Sequence, residues 1–183
     1  MKSFASAALC LLLATQTGLA APWKVDYPKS RLGFTVQWSN EPFSGSFRRW
    51  NAQIDFDPND LAHSRATVMV DRGSEFSDEP DFDSGLKGAQ GFQTSQFPAA
   101  RFATSRIVRT AADSYIADGT LTIHGISRAV TLPFKLSIAG GVAHMIGTAH
   151  MLRTDFGIGQ GEWAASSPVA HVVAVNVDLT ATR

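Results

Sequence analysis

Between Gly119 and Ile138 apolar and polar side chains alternate with a strict period of two, broken once by a short polar turn. Leu121 and Ile123 fall on one face, with Thr120, Thr122 and His124 on the other. After the turn Val130, Leu132, Phe134, Leu136 and Ile138 share a face opposite Thr131, Lys135 and Ser137. Successive strand side chains point to opposite faces, so this run predicts antiparallel strands with one wet face and one apolar face. What the apolar faces enclose, their own side chains or a guest, decides what such a chain is for.

The same alternation recurs along most of the sequence. Trp23 to Tyr27 makes a short strand, and Leu32, Phe34 and Val36 follow. Gly45 to Phe56 predicts a long strand whose parity slips by one near Arg48-Arg49, the trace of a bulge. Asp57 to Asp60 reads as a turn, and Ala66, Val68 and Val70 as the next strand. Strands resume at Arg101–Thr104 and Ser114–Ala117, before the opening run. Gly140-Gly141 signals a hairpin into Ala143, Met145, Gly147, Ala149 and Met151, all on one face. The last strand puts Val173, Val175, Val177 and Leu179 inside. The fold class expected is all-β: an antiparallel barrel of about eight strands with a short helical insertion.

That insertion is the stretch from Gly73 to Pro98, where alternation stops for about 25 residues, a length that usually carries function. Phe82 and Leu86, four apart, predict one face of a helical turn, and Phe92 and Phe97 follow. A second irregular loop runs from Gly157 to Pro168.

Residues 1–20 read as a secretory signal peptide: a basic start at Lys2, an apolar stretch from Phe4 to Ala14, and small residues before Ala21. The stretch falls short of the ~20 residues that span a bilayer. A lipid anchor at Cys10, the only cysteine, is disfavoured by bulky Leu9 before it and by the apolar run continuing past it. The expectation is one domain, residues 21–183, periplasmic or secreted and without disulfides. Lys plus Arg equals Asp plus Glu at 16 each, and no basic patch appears, so nucleic acid is not an expected partner.

Catalytic and metal signatures are missing. The five histidines form none of the spacings of transition-metal sites and are read as surface residues, His124 among them. The acidic run Glu75–Asp83 lacks the order of a calcium loop, and Gly157–Gly161 opens no phosphate-binding helix. No G-x-S-x-G elbow is present; Asp83, Asp155 and His124 are the loose candidates for an enzyme on a hydrophobic substrate. A binding protein with no metal and no cofactor is the expectation. Apolar supply, by contrast, is ample, with 12 Phe and 4 Trp largely on alternating positions or in the insertion. Periodicity leaves open a barrel filled by its own side chains and one that encloses a ligand. A buried methylene contributes about 0.8 kcal/mol, so one isoprene unit contributes ~3–4 kcal/mol before association costs.

Five segments in order, W-K-V-D-Y-P-K-S-R-L-G-F-T-V at Trp23–Val36, G-S-F-R-R-W-N-A-Q-I-D-F-D at Gly45–Asp57, F-P-A-A-R-F at Phe97–Phe102, G-T-L-T-I-H-G-I-S-R-A-V-T-L-P-F at Gly119–Phe134 and R-T-D-F-G-I at Arg153–Ile158, resemble the YceI-like family of bacterial secreted proteins. The resemblance implies a lipocalin-like barrel whose hydrophobic tunnel holds a polyisoprenoid chain, such as a quinone-like or polyprenyl lipid, for carriage, storage or protection. It also implies a possible membrane b-type cytochrome as partner, a non-enzymatic role open even to a chain whose core is filled. A monomer or homodimer is expected. Many family members have a His where this chain reads Gln37-Trp38, and an Arg-Asp and a His where it reads Phe82-Asp83-Ser84-Gly85-Leu86. Polar groups that would meet a ligand head are thus replaced by apolar or small ones.

With that reading, parity assigns the tunnel wall. Phe34, Val36, Phe47, Ile54 and Phe56 come from the first strands, and Val68 and Val70 from the next. Leu121, Ile123, Leu132 and Phe134 come from the opening run, and Met145 and Val175 from the last strands. Phe82, Leu86, Phe92 and Phe97, with Phe156 and Trp163, are assigned to the tunnel mouth.

Overall fold

The computed structural model describes residues 22–183, so the segment read as a signal peptide, with Cys10, lies outside the described residues. The strands are β1 (Lys24–Val25), β2 (Arg31–Trp38), β3 (Glu41–Phe47), β4 (Trp50–Asp55), β5 (Arg65–Asp71) and β6 (Glu75–Phe76), followed by β7 (Ala99–Arg109), β8 (Ser114–Ile123), β9 (Ile126–Ala139), β10 (Val142–Leu152) and β11 (Val169–Thr182). One α-helix, α1 (Pro80–Lys87), falls in the insertion. All pairings are antiparallel, in the order β4-β5-β7-β8-β9-β10-β11-β2-β3-β6, with β1 on β11.

β3 and β4 lie near opposite ends of that order, yet only Arg48 and Arg49 separate them in the chain. The sheet therefore curls round until its edges meet at this bend, and a bridge between Trp23 and Ile54 joins them again. The bulge expected at Arg48-Arg49 is a full break in the strand. Ser74 holds it, accepting from the Arg48 amide at its carbonyl and from the Arg49 amide at its hydroxyl. The break shifts parity so that Phe47 and Trp50, three apart, both face inward.

Three of the hairpins close through two-residue turns, Ser39-Asn40, His124-Gly125 and Gly140-Gly141, with φ between 50° and 77° at every position. Two positive φ values in succession give the turn whose twist matches the strands it joins. That geometry fixes the register that alternation alone leaves free: Ile123 pairs Ile126, Ala117 pairs Leu132 and Tyr115 pairs Phe134. The helix begins with Pro80 at its first position, Asp81 and Asp83 in the first turn and Lys87 in the last, in accord with its dipole. Eight residues are too few for a helix to persist alone in water, so α1 depends on what it packs against.

Candidate functional site

The inward faces of the strands do not fill the barrel. They surround a cavity of about 290 Å³ whose wall draws on every strand from β2 to β11 except β6, with β3 contributing only its last residue, Phe47. Trp23, Ala143, Leu179 and Ala181 pack one end, where Phe56, Leu136 and Met145 join them to a second cluster of Ile107, Tyr115, Ala117 and Phe134. The other end is covered by α1 and the loops around it, with Phe34, Val36, Leu86, Phe92, Ile123 and Ile158 buried there.

Over that end lies an aromatic lid. Phe82 of α1 packs on Phe43 with ring centroids 3.9 Å apart, meets Trp38 edge-on at 4.8 Å and stacks on Trp163 at 6.2 Å. Trp163 in turn rests on Gly85, where an added Cβ would come within 3.1 Å of its ring. Any side chain at Gly85 would lift the indole from the helix, so the glycine allows a close approach.

Among the wall residues, the charged and hydroxyl side chains are already engaged. Arg65 pairs with Asp55 at 3.0 Å. Thr104 accepts from the Ala66 amide and donates to the Ala66 carbonyl. Arg72, 2 % exposed, donates to the Phe97 carbonyl and to His124 Nε2, and its guanidinium lies 4.9 Å from the Phe92 ring centre. Burial brings its pKa down to about 10. Arg153, 3 % exposed, is caged by carbonyls. Its Nε donates to Ala170, its Nη1 to Ile158 and Gly159, and its Nη2 to Trp163, Ala165 and Val169. Burial pushes this guanidinium below the ordinary arginine value as well. What remains to face the cavity is hydrocarbon and aromatic surface.

The residues assigned to wall and mouth line this cavity, except Phe97 and Phe156. Phe156 is 1 % exposed and belongs to the packed core instead, because the 3-10 turn Arg153–Phe156 folds its ring in beside Ile123 and Ile158. Phe97 lays its ring on His124, with centroids 5.1 Å apart, since its carbonyl is held by Arg72. His124 itself is no ordinary surface residue. It sits half-buried at φ 53°, its Nδ1 2.8 Å from the Phe156 carbonyl and its Nε2 2.7 Å from Arg72 Nη2 and 2.8 Å from the Phe92 carbonyl. The imidazole joins the β8–β9 turn to both irregular loops. Parity placed it outward, and outward at this end of the barrel means beneath those loops.

The lining also includes Trp38, which continues the Phe34–Val36 face of β2, and small residues such as Ala117, Ala143 and Ala149. Alanine lines a cavity or fills a tight core with the same sequence signature. Arg72 and Arg153 flank the two irregular stretches, and alternation gives no sign that either is buried; Arg153 is marked only as the first residue of the R-T-D-F-G-I segment.

His144 pairs with Asp178 and His63 with Asp60, each at 2.8 Å on the surface, while His150 is exposed. Among the described residues no cluster of three His, Cys, Asp or Glu is arranged to hold a metal ion. Asp83 accepts from the Ser77 amide and hydroxyl, Asp155 is exposed, and no hydrogen bond joins either to His124.

A lipocalin-like antiparallel barrel around an apolar cavity is thus the class that fold and site define. The chain belongs to the YceI-like domain family, which matches residues 23–181. It is 29 % identical over 129 residues to a UPF0312 protein of Photorhabdus laumondii, covering 69 % of this chain and 67 % of that one. The crystal structure of Burkholderia cenocepacia BcnA has a TM-score of 0.84 and 30 % identity, covering 87 % of this chain and all of that one. A polyisoprenoid-binding domain from Saccharophagus degradans shares the fold at a TM-score of 0.67 and 13 % identity, covering 87 % of this chain and 97 % of that one.

Proposed function

We propose that this protein is an exported, periplasmic carrier that holds the hydrocarbon tail of an isoprenoid lipid in its barrel. One observation carries the reading: the wall's charged and hydroxyl groups are bonded within the protein, so a guest gains from burying hydrocarbon and little from polar contact. Branched, flexible prenyl chains suit such a site, each unit adding ~3–4 kcal/mol of apolar burial before the costs of ordering the chain. The Saccharophagus domain, described as polyisoprenoid-binding, supports the choice of lipid through shared architecture. Residues 1–20 support export, and a quinone-like or polyprenyl molecule is the ligand we favour. The test is native mass spectrometry, with organic extraction, of protein purified from its own source. An added mass equal to a prenyl lipid, lost on extraction, is the expected result; protein that is uniformly bare overturns it.

A further inference from the structure

β6 contributes a carboxyl that the fold leaves without a hydrogen-bond partner. Glu75 is 1 % exposed, and neither of its oxygens meets a hydrogen-bond donor in the protein. Its nearest cation, Lys87 Nζ, stands 3.9 Å from Oε2. Ionising such a group costs far more than ionising one in water, because the carboxylate exchanges its hydration for apolar neighbours.

Those neighbours come from two sides. On the sheet side β3 presents Gly45, where an added Cβ would lie 3.2 Å from Glu75 Oε1 and 2.6 Å from the Phe34 ring. The basic residues on this side are spent elsewhere. Arg48 lies over the Phe76 ring at 3.9 Å, and Arg72, in the turn before β6, faces Phe97 and His124. On the other side α1 presents Asp83 and Lys87. Burial works to raise Asp83, but the hydroxyl and amide of Ser77 outweigh it and hold that carboxyl below its ordinary value. Burial first, and then the Asp83 charge, push Glu75 up to about 7, with Lys87 only partly offsetting them.

The helix above Glu75 is also the cover of the cavity, for Phe82 and Leu86 of α1 both line it. It is short and its N-cap residue, Glu79, makes no side-chain capping bond, so docking is what keeps it folded. The group beneath the cover therefore holds leverage over it.

We propose that Glu75 is a proton-operated latch: neutral, it lets α1 close on β6, and ionised, it drives α1 away and uncovers the cavity. The latch deepens the carrier reading by giving the lipid a pH-dependent way in and out. Closure prefers the protonated carboxyl, so it is strongest below about 4.5, weakens as pH rises to about 7, and changes little above that. Between pH 5 and pH 8 the population with α1 undocked is expected to rise on the order of 70-fold, set by the gap between a carboxyl of about 4.5 when undocked and about 7 when docked.

Hydrogen exchange of the peptide spanning residues 80–97, in the lipid-free mature protein and corrected for intrinsic rates, reads the latch directly. In the wild type, protection of α1 should fall from pH 5 to pH 8 by this factor. Glu75→Gln should keep α1 protected at both pH values, and Glu75→Met does the same job if the amide fails to fold. Lys87→Met should increase opening at pH 8, and adding Glu75→Gln should cancel that increase. Protection that is equal at pH 5 and pH 8 in the wild type overturns the proposal. So does a pH dependence that survives in both Glu75 variants. Because exchange is measured without lipid, bare protein from the native source would sink the carrier reading and leave this result standing.

Discussion

Replacing Arg153 by Met keeps a long apolar stem but removes the cation from its cage of six carbonyls. Three of those carbonyls belong to the buried residues Ile158, Gly159 and Val169, and on losing the guanidinium they meet neither donor nor water. An unsatisfied buried acceptor costs about 1–3 kcal/mol, and part of this is returned because the guanidinium no longer has to be desolvated. Arg153→Met should therefore lose about 3–5 kcal/mol, a large fraction of the 5–15 kcal/mol typical of a domain. Gly159 has no room to adjust, since at φ 77° it lies against Arg153 Nη1. Arg153→Lys should recover only part of the loss, because an ammonium has three donors and cannot reproduce the planar fork. Urea unfolding measures the loss, and hydrogen exchange should place it in residues 157–168. An Arg153→Met protein within about 1 kcal/mol of wild type, with that loop still protected, would refute the reasoning.

Ala149→Phe, from a wall residue 6 % exposed, should place its ring in the cavity, cost about 1–3 kcal/mol by overpacking and reduce co-purified lipid at least tenfold by extraction. His124→Ala should cost about 1–3 kcal/mol in urea unfolding, because it removes the ring nitrogens that meet the Phe156 and Phe92 carbonyls and Arg72. For Glu75, unfolding free energy should fall as pH rises from about 4.5 to about 7, by an amount on the order of 2–3 kcal/mol relative to Glu75→Gln, and then level off.

The face a strand residue occupies is legible in the sequence wherever alternation is unbroken. Leu121, Ile123, Leu132 and Phe134 line the cavity because period-two alternation and a sharp turn leave them no other side. Phe47 and Trp50 show where this ends: counting parity detects a slip, but only the bonds from Ser74 decide that the strand breaks. Phe97 and Phe156 lie outside the cavity wall for a related reason. Their rings are aimed by what binds their carbonyls, Arg72 for one and His124 for the other, and such tertiary bonds leave no periodic trace. Glu75 is the extreme case, reading as one more acid in a solvated run while the fold buries it completely.

The central claim is that the barrel selects hydrocarbon length and is nearly blind to the head. Titration of the lipid-free protein with prenyl alcohols of increasing length, and with one tail carrying alcohol, quinone or phosphate heads, tests this most directly. The account predicts affinity that climbs with each added isoprene unit until the cavity is full, and heads that change it by less than about tenfold, or 1.4 kcal/mol. Affinity set by the head and indifferent to tail length would contradict it.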